Sequence, residues 1–183
     1  MMLLGYSISY PDNESYMLRG PSPHPKCEEC GFVLDHEWID PQFRLIQPYA
    51  DLSATYDGYT IATERFCDFA SKHGGRCIEL PSAPGFSSFR VDERIAFDSV
   101  RRKTRFAKRC SICGQFGDVT GSTPIFIQGD QSIPDRFVGT DVEFGSGDEK
   151  HPIILVGVGL AEELRKTHKS IDLRPVPNPL APL

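Results

Sequence analysis

Four of the six cysteines stand in two copies of one short pattern, Cys27-Glu28-Glu29-Cys30-Gly31 and Cys110-Ser111-Ile112-Cys113-Gly114. A CxxC pair followed by glycine is typical of a zinc knuckle, because its tight turn points backbone N–H groups at sulfur and glycine accepts a positive φ without strain. Two knuckles would supply four thiolates at about 2.3 Å from one tetrahedral Zn²⁺. With Cys27, Cys30, Cys110 and Cys113 filling every coordination position, the pattern predicts a structural site and argues against zinc hydrolase chemistry.

The distance between the knuckles leaves other interpretations open. They are separated by 79 residues, whereas zinc ribbons usually place their knuckles within about 15–20 residues, so the intervening chain would have to fold out and return. Two separate redox pairs and four unliganded thiols are the alternatives, and a reducing cytosol disfavours the disulfides of the first. The remaining cysteines, Cys67 in a helical pattern and Cys77 in an apolar stretch, are predicted to be core residues, because free cysteine is among the most buried residue types.

The elements that must position the knuckles follow from the spacing of apolar residues. Alternation of Tyr6, Ile8 and Tyr10 predicts an opening strand. Two later segments, at about 59–81 and 152–176, each predict a strand, a short helix and a second strand, and they are either an ancient duplication or two unrelated units. The predicted fold class is therefore α+β, a loop-rich mixed sheet with short helices and two CxxCG knuckles that share one four-cysteine site.

Composition and length place the chain among globular proteins. With 183 residues, 10% aromatic residues and a net charge of −5, it can bury one sizeable core and does not have the composition of a disordered chain. Its apolar runs fall short of the roughly 20 residues that span a bilayer, and residues 1–5 lack the features of a secretory signal, which predicts a cytoplasmic location. We expect one metal-held domain over residues 1–176 and an extended, proline-rich tail over 177–183.

Two segments carry opposed charge. Residues 101–109 hold six basic residues in nine and lie directly before Cys110, which leaves the rest of the chain at −11. A basic run beside a zinc knuckle is typical of a nucleic-acid-binding ribbon, although the acidic total and the lack of interleaved aromatic residues argue against that function. The segment 130–149 is acidic and rich in glycine, which predicts a mobile loop that could meet a cationic partner or simply aid solubility. Its acidic residues are Asp130, Asp135, Asp141, Glu143, Asp148 and Glu149.

Signatures of the common catalytic classes are missing from the sequence. It contains no GxSxG, no Walker loop and no HExxH. Gly157-Val158-Gly159 stands between a predicted strand and a predicted helix, but Glu162 replaces the third glycine of a dinucleotide-binding loop. The five histidines show no spacing typical of a base or a metal ligand. The sequence therefore predicts a protein that is not an enzyme.

The sequence resembles the double-CxxCG motif proteins, a paralogous set in myxobacteria, in four features. These are the two knuckles, the stretch 135–149, the apolar strand 153–156 with its helix, and the ending 171–176. Members of that family include immunity proteins encoded beside Sit-type toxins, which sibling cells exchange through their outer membranes. The resemblance implies a protein that binds and neutralises a cognate toxin domain, with Cys27, Cys30, Cys110 and Cys113 as metal ligands. It makes the acidic segment the leading candidate for the toxin contact. The competing hypothesis is a zinc-ribbon nucleic-acid-binding or regulatory protein that uses residues 101–109.

Overall fold

A computed structural model of the chain describes residues 3–18, 24–47, 50–130 and 132–178. Within these ranges there are eleven β-strands and three α-helices. In chain order they are β1 (Leu3–Ser9), β2 (Leu52–Ala54), β3 (Thr60–Thr63), α1 (Glu64–Ala70), β4 (Gly75–Glu79), β5 (Phe86–Val91), β6 (Arg94–Ile95), α2 (Ser99–Arg102), β7 (Arg105–Arg109), β8 (Phe116–Thr120), β9 (Val138–Ser146), β10 (His151–Val156), α3 (Val158–Thr167) and β11 (Asp172–Pro177).

The strands form two sheets. The larger has the order β11-β1-β10-β9-β8-β7, all antiparallel, with the short β6 lying parallel to β9. The smaller is antiparallel and has the order β2-β3-β5-β4. The predicted α+β class with a mixed sheet and short helices is therefore confirmed.

Both predicted strand-helix-strand segments form, and they share one topology. In β3-α1-β4 the two strands run parallel with β5 antiparallel between them, and in β10-α3-β11 the intervening antiparallel strand is β1. The helix α1 begins as its sequence predicts, because the Thr63 hydroxyl accepts the Phe66 N–H at 3.3 Å. It ends through a 3₁₀ turn, Ser71–His73, into Gly74 at φ 82°.

One buried cluster joins the helices α1 and α3 to both sheets. It contains Phe66 of α1 and Leu160 and Leu164 of α3, each at most 1% exposed, together with apolar residues of β1, β3, β5 and β10. Phe66 packs edge-on against Phe89 and Phe137, with ring centroids 5.3 and 5.7 Å apart. Burial of these large rings stabilises the packing of α1 and α3 on the two sheets.

The prediction that Cys67 and Cys77 are free core residues is wrong. They form a disulfide, with Cα atoms 6.0 Å apart, and both lie half-buried against the main cluster. Cys67 is in α1 and Cys77 is in β4, so the tight turn between these elements brings the two residues side by side. The bridge ties the helix to the strand that follows it.

The prediction of a mobile loop over residues 130–149 is also wrong. Nine of its residues form β9, which pairs with β10, β8 and β6 inside the larger sheet, and a 3₁₀ turn, Gly147–Glu149, follows it. At the end of the chain, β11 extends to Pro177, which pairs with Leu3. The rest of the predicted tail from residue 179 lies outside the described residues.

Candidate metal centre

Each knuckle is a tight turn closed by two backbone hydrogen bonds. In the first, the Cys27 N–H donates to the Phe32 carbonyl at 2.9 Å and the Gly31 N–H donates to the Cys27 carbonyl at 2.8 Å. In the second, Cys110 and Gly114 make the equivalent bonds at 2.8 and 3.1 Å, the first to the Gln115 carbonyl. Both glycines have a φ of 75°, a left-handed conformation that explains why glycine follows each cysteine pair.

The four knuckle cysteines come together in one site. Their sulfurs all lie within 4.8 Å of one another, and the Sγ atoms are 3.7 Å apart for Cys27 and Cys110 and 3.6 Å for Cys30 and Cys113. Sulfurs bonded at about 2.3 Å to one tetrahedral ion lie about 3.8 Å apart, whereas a disulfide requires about 2.05 Å. All four cysteines are free, so the geometry fits a shared metal site and excludes two disulfide-bonded pairs in this structure.

Backbone N–H groups stabilise charge on the sulfurs. Hydrogen bonds from the backbone of Cys30 and Glu29 lower the pKa of the Cys27 thiol to about 6. At Cys110 the backbone N–H of Cys113 favours the thiolate, but burial and the Glu29 carboxylate raise the pKa to about 12. A bound cation would favour the thiolate at every sulfur, so metal binding would release protons here.

Side chains outside the cysteines brace the knuckles against each other. Gln115 Nε2 donates to the Val33 carbonyl at 2.8 Å, and Ser111 Oγ donates to Glu29 Oε2 at 2.8 Å. The Val33 N–H donates in turn to Asp148 Oδ1 at 2.8 Å, which fixes the first knuckle to the 3₁₀ turn after β9. Sequence reasoning missed these three braces, because their partners are far apart in the chain and follow no spacing rule.

The long separation of the knuckles has a structural reason. The second knuckle is the turn of the β7-β8 hairpin, and the first lies in the segment between β1 and β2. Residues 31–109 between them contain the whole four-stranded sheet. The chain therefore folds out into a second sheet and returns, as the spacing predicted.

The predicted acidic contact residues do not share one role. Three of them accept backbone N–H groups: Asp135 from Leu160 at 3.1 Å, Asp141 from Phe97 at 2.8 Å, and Asp148 from Val33 at 2.8 Å. Glu143 is half-buried on β9, whereas Glu149 is exposed. The side chain of Asp130 lies outside the described residues.

The basic run forms an exposed edge. Residues 101 and 102 belong to α2, and β7, at the end of the larger sheet, is exposed along its whole length. Lys108 forms an ion pair with Asp118 at 2.8 Å, and the Arg109 guanidinium lies 5.8 Å from the Phe116 ring centroid. The sequence places this positive strand directly before Cys110 of the metal centre.

Comparison of the chain with protein-family models, curated proteins and solved structures finds no match. Among the described residues, no helix has both the length and the apolar character needed to cross a membrane.

Proposed function

We propose that this chain is a cytoplasmic immunity protein, which binds and neutralises a cognate toxin delivered between sibling cells and is not an enzyme. The observation that carries the proposal is the closed four-cysteine site. A metal ion there has four protein ligands and no position for substrate or activating water, which supports a role in holding the fold. The two CxxCG patterns that build the site are also the motif behind the resemblance to the double-CxxCG proteins.

We further propose that the bound ion is Zn²⁺. Thiolates are soft ligands, and a tetrahedral set of four suits zinc, which has no redox chemistry of its own. Structural zinc contributes an apparent free energy of roughly 10–16 kcal/mol in finger peptides. Here that free energy would hold the segment after β1 against the β7-β8 hairpin.

A metal-held scaffold suits an immunity protein. Such a protein must bind its own toxin and reject related ones, and this discrimination is best made by variable surface residues on a rigid support. The two sheets and the metal centre supply the support. A reducing cytosol would open the Cys67–Cys77 bridge, so the support does not depend on it. We retain the acidic segment as the toxin contact and test it at Glu149, an exposed residue of the 3₁₀ turn after β9.

Co-expression with the toxin encoded beside this gene tests the proposal. We expect the protein to restore growth of cells that produce the toxin and to co-purify with it. Failure of both would contradict immunity. The binding surface is tested separately by Glu149→Lys, with Glu162→Lys on the exposed side of α3 as a matched control. Only Glu149→Lys should slow association with the toxin at low salt, because complementary charge on the contact surface speeds the encounter of the two proteins.

The exposed basic edge strand β7 favours a second candidate, a nucleic-acid-binding or regulatory protein. Phosphate contacts make binding fall steeply with salt concentration. If the protein binds DNA or RNA, Arg105→Gln should weaken binding to all sequences and reduce the salt slope by about one. Salt-dependent binding without toxin neutralisation would decide for this candidate.

A further inference from the structure

A crevice of about 130 Å³ lies between the two sheets. Its walls come from β3, β4 and β5 of the smaller sheet and from β9 and β10 of the larger, and His36, after the first knuckle, also lines it. A water molecule takes about 30 Å³ in the liquid, so this inter-sheet crevice has room for a few waters or one small molecule.

Arg90 of β5 lines this crevice and lacks a counter-charge. One of its terminal nitrogens donates to the His36 carbonyl, and the guanidinium stacks 4.6 Å from the Tyr59 ring centroid. Its Nε atom is buried and has no hydrogen-bond partner. Among the described residues, no carboxylate oxygen lies within 4.0 Å of a guanidinium nitrogen of Arg90. Burial lowers the pKa of this guanidinium. A charge removed from water without a partner is unfavourable, so Arg90 has unused capacity to bind an anion.

Lys150 is a second such cation on the same crevice. It is only 7% exposed, its ammonium donates to the Gly147 carbonyl, and it lies 4.4 Å from the Phe32 ring centroid. The described residues place no carboxylate within ion-pair distance of it. The half-buried Arg90 of β5 and the buried Lys150, directly before β10, thus line one cavity without an acidic partner among the described residues.

The acidic residues of the crevice do not neutralise these cations. Glu37 and Asp92 line it, but both bind Arg76, the latter at 2.9 Å. Glu143 is the remaining carboxylate on the lining. The other cations of the lining are Arg90, Lys150 and Arg94, whose guanidinium donates to the Val91 carbonyl. With Arg76, the lining carries four cations and three carboxylates, which leaves the crevice with a net charge of +1.

We propose that the inter-sheet crevice binds a small oxyanion, a phosphate or carboxylate group, through Arg90 and Lys150. A guanidinium offers a fork of N–H donors that matches an oxyanion, and an ammonium adds a compact charge. Charge-assisted bonds of this kind are stronger where the donors are shielded from water, as Lys150 and the Nε atom of Arg90 are. The proposal does not depend on the immunity function.

Titration of the isotopically labelled, metal-loaded protein with inorganic phosphate tests the proposal. Ionic strength is held constant with chloride, so that only specific binding is observed. We expect saturable NMR shifts at millimolar phosphate, centred on His36, Arg90 and Lys150. A parallel titration with acetate distinguishes the sources: tighter phosphate binding indicates a phosphate group, and tighter acetate binding indicates a carboxylate.

Three substitutions complete the test. Arg90→Gln and Lys150→Gln should each weaken anion binding by about tenfold or more, because each removes a charged donor. Arg105→Gln, on the exposed strand β7 outside the crevice, makes the same charge change and should leave binding unaltered. If Arg90→Gln does not fold, the affinity of Lys150→Gln for phosphate and the positions of the shifts in the wild type still test whether the anion binds in the crevice. Absence of saturable binding, shifts centred on β7, or equal affinity in all variants would overturn the proposal.

Discussion

The shape of each knuckle depends on a single glycine. A Cβ added at Gly31 would meet nothing within 4 Å, and one at Gly114 would approach only Arg109, at 3.9 Å. The cost of a side chain at either position is therefore conformational, because the left-handed φ of 75° is unfavourable for other residues by about 1–2 kcal/mol. That cost falls on the turn that aims the cysteines at the metal.

We expect Gly31→Ala and Gly114→Ala each to lower the free energy of unfolding by about 1 kcal/mol and to speed the loss of metal to a chelator. Gly85→Ala is the matched control, since Gly85 has a φ of 84° and open space around it but lies in the turn before β5. Urea unfolding and chelator kinetics make the comparison. Metal loss no faster in the knuckle variants than in the control would contradict this role.

At the scale of elements, the start of α3 depends on a residue from another segment. Its N-cap, Gly157, makes no side-chain capping bond, and Asp135 instead accepts the Leu160 N–H at 3.1 Å. A Cβ at Gly157 would lie 2.3 Å from Asp135 Oδ1, so the glycine allows the carboxylate to approach. The carboxylate also offsets the positive end of the helix dipole.

Asp135→Ala should lower the free energy of unfolding by about 1 kcal/mol, as loss of a cap does. Glu149→Ala, which removes an exposed acid of the same segment, should leave stability within experimental error. Thermal and urea unfolding measure both. Equal stability of the two variants would show that Asp135 does not cap the helix.

The disulfide predicts a specific count of thiols. Denatured in the presence of a chelator and without reductant, the protein should react at four cysteines, and with reductant at all six. Reduction should also destabilise the protein by roughly 2 kcal/mol, because the bridge restricts the unfolded chain. Six reactive thiols without reductant would show that Cys67 and Cys77 are not bonded.

Local spacing accounts for the elements that the sequence predicted, and tertiary pairing for those it did not. Phe66 with Ala70, and Leu160 with Leu164, recur at helical intervals and face the core. In β9 the alternation of Val142 and Phe144 with acidic residues is the strand signal that the glycines obscured. The four-cysteine site was predictable from its motifs, whereas the disulfide and the braces depend on contacts that no short pattern records.

At the scale of the whole molecule, the metal centre links segments that the sheets leave apart. Residues 24–47 contain no strand of either sheet, and the first knuckle meets the rest of the chain through the sulfurs, the braces from Ser111, Gln115 and Asp148, and the contact of Phe32 with Lys150. The helices and sheets share a separate hydrophobic cluster. We therefore expect metal removal to open the two knuckles before the core.

Hydrogen exchange after chelation checks this prediction. We expect amides of residues 25–34 and 110–116 to lose protection first, because regions with few buried apolar contacts open locally. The amides of α1 and α3 should keep more of theirs. The same chelator pre-loaded with zinc is the control, because it cannot take up the bound ion. Unchanged protection in the two knuckles would contradict the prediction.

The ratio of zinc to protein in the purified, reduced chain shows whether the two knuckles share one ion through Cys27, Cys30, Cys110 and Cys113. Elemental analysis with native mass spectrometry should find one zinc per chain in the wild type and strongly reduced zinc in Cys27→Ser and in Cys113→Ser. Two ions per chain, or well under one in the wild type with no thiols protected by metal, would contradict a shared site.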